Sequence, residues 1–77
     1  MIRRIENTQD LADLIKVLNN AQGTKITALA DLSQVNRENL YRIMRGNNPT
    51  LNSVLKILNA LGCTLMATQS PAYYEHK

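Results

Sequence analysis

The chain is poor in cysteine, in long apolar runs and in clustered glycine, and each shortage removes a class of protein. Its 77 residues include one cysteine, Cys63. No internal disulfide can form, and one thiol makes no metal-ligand cluster. Such usage fits a reducing cytoplasm better than a secreted scaffold, and Cys63 is read as a small buried hydrophobe rather than a sensor. No apolar stretch approaches the roughly 18 residues needed to span a membrane. Arg3 and Arg4 stand near the start without an apolar core behind them, so no signal peptide is expected. These two arginines are either a solvated chain start or a phosphate-binding arm. No glycine-rich loop is present to cradle a phosphate. Ser33, Ser53 and Ser70 lack both a histidine nearby in sequence and nucleophile-elbow glycines, which excludes a recognisable hydrolase site. Glu6, Asp10 and Asp13 are explained as acids at a helix start, and His76 is alone near the C-terminus. Neither an enzyme, nor a cofactor, nor a metal is expected.

What remains is one small domain. A chain of this length buries only about 60 per cent of its unfolded surface, so it needs close helix packing, a partner chain, or both. The net charge is +3 and the pI is near 9.4. That excess permits phosphate contacts but is shared by many proteins. The positions of the charges therefore carry more information than their sum.

Start and stop signals divide residues 1–68 into four helices and a strand. Asn7 with Asp10 three residues on resembles a capping box. Leu11, Leu14, Ile15 and Leu18 follow at helical spacing, and Gly23 provides the stop. This predicts a first helix over about 8–22. Thr24 can cap a second over about 25–33, with Ile26, Leu29, Ala30 and Ser33 on one face. After a tight turn, Asn36 can cap a third over about 37–45, with Leu40, Ile43 and Met44 inward and Gly46 as its end. The loop Asn47-Asn48-Pro49 leads to Thr50, the cap of a fourth helix over about 51–61. Leu51, Val54, Leu55, Leu58 and Leu61 are its expected buried stripe. Beyond Gly62 the period changes to two: Cys63, Leu65 and Ala67 alternate with Thr64, Met66 and Thr68, so a strand is predicted over about 63–68. Residues 69–77 are expected to be a loosely ordered tail.

The second and third helices are the informative pair. So short a turn makes them cross steeply, as in a helix-turn-helix, whose second helix enters the DNA major groove. On a helical wheel with Leu40 inward, Tyr41, Arg45, Glu38 and Arg42 fill a sector of roughly 100° on the far side, with Arg37 and Asn39 at its rims. Arginine can pair with guanine, asparagine with adenine, and glutamate can accept from cytosine. Tyrosine can pack on a thymine methyl or donate to a phosphate. A helix with two or three exposed arginines is also an ordinary solvated helix; the tight turn, the capped start and the flanking helices favour the DNA reading.

The runs Ile26-Thr27-Ala28-Leu29-Ala30 and Val35-Asn36-Arg37-Glu38-Asn39-Leu40-Tyr41-Arg42-Ile43 resemble the lambda-repressor-like helix-turn-helix family. Asn47-Asn48-Pro49-Thr50 and Val54-Leu55-Lys56-Ile57-Leu58-Asn59-Ala60-Leu61-Gly62 extend the likeness toward the antidote (antitoxin) proteins of addiction modules. It runs from Thr24 to about Met66 without gaps. The resemblance implies an all-α, four-helix lambda-repressor-like domain that regulates transcription by binding duplex operator DNA. It also implies a homodimer and a cognate toxin as partners. Arg37, Glu38 and Arg42 match base-facing positions, and Arg45 matches a phosphate-contacting one. Lys25 and Thr27 lie where the start of the second helix meets the phosphate backbone, and Asn36, Asn39 and Tyr41 complete the expected surface. The family usually has glycine in the turn where this chain has Gln34.

For the dimer, the strand through Cys63, Leu65 and Ala67 can pair antiparallel with its copy, because an unpaired strand exposes backbone donors and acceptors. Pairing within the chain with Ile2 to Ile5 is the alternative. A toxin could meet the outer surface of the first helix or the tail with Tyr73 and Tyr74, which are otherwise idle. A prophage-type or free-standing repressor, or an interaction module that does not bind DNA, are the competing functions.

Overall fold

Each helix starts and stops close to its local signal. The computed structural model describes residues 2–69. It contains four helices, α1 (Thr8–Gln22), α2 (Ile26–Ser33), α3 (Arg37–Met44) and α4 (Leu51–Ala60). Three of them are capped by a side chain. Asn7 accepts from the Asp10 N–H, Asn36 from the Asn39 N–H and Thr50 from the Ser53 N–H, each satisfying one donor that the first turn leaves unpaired. The reciprocal half of the box on α1 is shifted by one residue: the Asp10 carboxylate accepts from the Glu6 N–H at 3.0 Å.

The second helix departs from expectation. Its N-cap is Lys25, not Thr24, and no side chain caps it. Thr24 instead belongs to the turn that ends α1, donating its N–H to the Asn19 carbonyl at 3.3 Å. The third and fourth helices each end one residue earlier than predicted, with Arg45 and Leu61 as C-caps.

The core lies where the inner faces of all four helices meet. Leu11, Leu14 and Ile15 of α1 are buried with Leu29 and Ala30 of α2, Leu40 and Ile43 of α3, and Val54, Ile57 and Leu58 of α4. Val35 in the turn and Leu61 after α4 join them, and Ile5, Leu18, Ile26, Met44 and Cys63 pack against the rim. The buried hydroxyl of Ser33 donates to the Leu29 carbonyl at 2.7 Å, so it enters the core without an unmet hydrogen bond. Gln22 donates to the Leu61 carbonyl at 2.7 Å and ties the end of α1 to the end of α4.

One predicted face is corrected. Leu51 and Leu55 are 64% and 42% exposed, whereas Ile57 is fully buried. Val54, Leu58 and Leu61 of the predicted stripe are buried. Packing of α4 on α2 turns the buried face from Leu51 and Leu55 toward Ile57, by less than a quarter turn.

The strand predicted over 63–68 has no ladder partner among the described residues, and neither does the segment from Ile2 to Ile5. A strand is defined by the chain it pairs with, and pairing between copies lies outside a single chain. Cys63 is half-buried on the core rim, while Leu65, Met66 and Ala67 are exposed. Apart from Gln69, the predicted tail lies outside the described residues; Ser70, Tyr73, Tyr74 and His76 fall there.

The turn between α2 and α3 keeps its left-handed corner without glycine. Gln34 has φ 60° and ψ 32° and is the non-glycine residue with positive φ among the described residues. An L-residue in that region costs about 1–2 kcal/mol. Glycine's larger loss of freedom on folding offsets part of any gain from replacing it. Gln34→Gly is therefore expected to stabilise the protein by about 1 kcal/mol, raising Tm by about 4–8 °C for a domain of this size. An unchanged or lower melting temperature would show that Gln34 stores no strain.

Candidate nucleic-acid interface

The orientation of α3 decides what the molecule presents. Leu40 is fully buried, Ile43 nearly so, and Met44 packs against the core. With three residues of one face held inward, Arg37, Glu38, Tyr41, Arg42 and Arg45 are all exposed. The three guanidinium groups form no ion pair among the described residues, although Glu38 is on the same helix. The ion pair that does form, Arg4 with Glu6 at 3.6 Å, is on the exposed N-terminal segment. The positive charge on α3 is thus left for an external anion.

Two neighbours hold this helix in place, and neither was legible in the sequence. Thr8, at the start of α1, donates its hydroxyl to the Gly46 carbonyl at 2.8 Å. That bond anchors the turn carrying Arg45. Gly46 has φ 84°, a left-handed conformation that glycine adopts without strain, and a Cβ there would stand 2.6 Å from the Gln9 side-chain oxygen, which would have to move aside. At the other end, the Asn39 amide donates to the Ser53 hydroxyl at 3.4 Å, and that oxygen also accepts from Thr50 at 2.9 Å. Asn39 was expected among the reading residues. It is half-buried, and its amide nitrogen donates to the cap of α4. Asn36 is exposed, but its side-chain oxygen is committed to the cap of α3.

The start of α2 supplies a second polar element. Lys25 and Thr27 are exposed. No side chain satisfies the first N–H groups of α2, so they keep their donors and the positive end of the helix dipole available. An uncapped helix start beside a lysine can accept a phosphate oxygen.

The helix-turn-helix family profile matches residues 14–66, from the middle of α1 through the segment after α4. The chain belongs to the helix-turn-helix family. Both α2 and α3, with the tight turn between them, lie within the matched residues. Solved structures agree on the fold. A chain in the HipB-O4 20mer complex superposes with a TM-score of 0.81 at 20% identity, over 90% of this chain and 99% of that one. The HipA-HipB-O2-O3 complex gives 0.80 at 20% identity with the same coverage. A structure described as MDT protein gives 0.81, again at 20% identity. At that identity the likeness is one of fold. No curated protein matches the chain.

Proposed function

We propose that this helix-turn-helix protein is a transcriptional regulator that binds operator DNA through α3, and that it is the antitoxin of a toxin–antitoxin pair repressing its own operon. The observation that carries the DNA reading is the unpaired, guanidinium-bearing flank of α3, exposed because Leu40, Ile43 and Met44 face inward. An α-helix fits the major groove by size, and every base pair shows a distinct donor and acceptor pattern there. Arg37 and Arg42 would face base edges, Tyr41 a methyl or a phosphate, and Arg45, Lys25, Thr27 and the start of α2 the backbone. Asn39 and Asn36 would position α3. The antitoxin role rests on the sequence resemblance and on the fold shared with HipB, an antitoxin of the HipBA pair with structures bound to operator DNA and to HipA. In that role the protein would act in the cytoplasm and carry out no catalytic step. No helix among the described residues is long and apolar enough to cross a membrane.

The proposed assembly is a homodimer. The segment through Cys63, Leu65 and Ala67 would pair with its copy, and two-fold symmetry would present two α3 helices to half-sites about one turn of DNA apart. Duplexes selected from a random library, followed by sedimentation of the complex, test both parts. The expected result is two chains per selected duplex, an inverted-repeat site, and affinity that drops by orders of magnitude between roughly 50 and 200 mM salt. Absence of salt-dependent binding would leave an interaction module that reuses the fold, and a strict monomer at high concentration would end the dimer. For the antitoxin role, the product of an adjacent reading frame is expected to arrest growth and to be neutralised by co-expression of this chain; if the frame is harmless, the protein is a free-standing repressor.

A further inference from the structure

Glu38 is the residue of the exposed face that the fold does not need and that a phosphate-binding helix should not carry. Its carboxylate is exposed and makes no hydrogen bond or ion pair among the described residues. Asn36 already caps α3, and the residue in the capping-box position is Asn39. The remaining structural role is a favourable interaction of an acid with the dipole of the first turn, which a side chain at several positions could supply.

We propose that Glu38 sets the base identity of the half-site, accepting from the exocyclic amino group of a cytosine, with Arg42 taking a guanine within two base pairs of it. The proposal rests on the DNA-binding reading above. A carboxylate on this face is repelled by phosphates and by every acceptor in the major groove: guanine O6 and N7, adenine N7 and thymine O4. Donors are limited to cytosine N4 and adenine N6. Adenine N6 lies between two acceptors, its own N7 and the paired thymine O4, whereas cytosine N4 has an acceptor, the paired guanine O6, on one side only, so cytosine is preferred. Glu38 and Arg42 are one helical turn apart, separated by about 6 Å along the axis and about 40° around it. Successive bases rise about 3.4 Å. A guanidinium one turn from the carboxylate therefore falls within two base pairs and can make the bidentate pair with guanine O6 and N7. Glu38 would also act by exclusion, lowering affinity for duplexes that present only acceptors at its position.

The test is a parallel selection of random duplexes by the wild-type chain, Glu38→Gln and Glu38→Ala, followed by titration of each protein on the wild-type site and on versions with single base pairs changed. The wild type is expected to select one cytosine whose replacement weakens binding by about 5- to 150-fold. Glutamine, which pairs with adenine N6 and N7, is expected to shift that position to adenine, and alanine to reduce the discrimination there to under twofold. Both variants should bind random duplex more tightly than the wild type, since a negative charge is removed. A dipole role alone would move the melting temperature and leave base preference unchanged. Retention of the same cytosine preference by Glu38→Ala would overturn the proposal, as would a wild-type site with no such cytosine. Failure of the wild type to retain any duplex at low salt would instead overturn the DNA-binding reading, and the assignment of Glu38 with it.

Discussion

Replacing Leu40 by alanine is expected to destabilise the protein by about 2–5 kcal/mol. The side chain is fully buried, and the helix that carries it has only Ile43 and Met44 beside it on the inward face. Truncation removes the transfer free energy of the lost methyl groups and leaves a cavity that packed helices close only in part. A domain of this size has roughly 4–12 kcal/mol of stability in all, so the variant stands near the edge of folding. Chemical denaturation at one fixed chain concentration measures the loss, which keeps any association between chains from entering the comparison. A variant as stable as the parent would mean that Leu40 does not face the core, and the exposed flank of α3 would then be misassigned.

The second large effect separates two arginines on the same helix. Arg42→Ala is expected to cost about 1–3 kcal/mol of binding to the selected site and to relax specificity at one base pair. Arg45→Ala is expected to weaken binding to all sequences alike and to flatten the slope of log affinity against log salt by about one unit. The difference follows from position. Arg42 is exposed within the last turn of α3, whereas Arg45 is its C-cap, beside the turn that Thr8 ties to α1 through the Gly46 carbonyl. Base contacts carry sequence information and phosphate contacts carry charge neutralisation. Equal, sequence-independent losses for both variants, read by titration on matched and mismatched duplexes at several salt concentrations, would show that this division of roles is wrong.

Much of the framework is visible without coordinates because its causes are local. Asn7, Asn36 and Thr50 cap the helices they precede, since an N-cap bond joins residues three apart. Gly23 takes the left-handed conformation after α1, and Gln34 takes it in the turn where the resemblance implies glycine. Thr24 misled for an equally local reason. It has the side chain of a cap, but its N–H is used to close α1 through Asn19, leaving Lys25 as the first residue of the next element.

Periodicity and capping act within about one turn of chain, so the residues alone specify the four helices, the tight turn between the second and third, and the arginine-rich flank of α3. How far the buried face of α4 turns toward Ile57 and away from Leu51 and Leu55 depends on where α2 lies, which packing fixes. The folded chain also joins Asn39 to Ser53 and Thr8 to Gly46, through bonds between residues 14 and 38 positions apart. Such partners are brought together by packing of the core, and no spacing in the chain announces them.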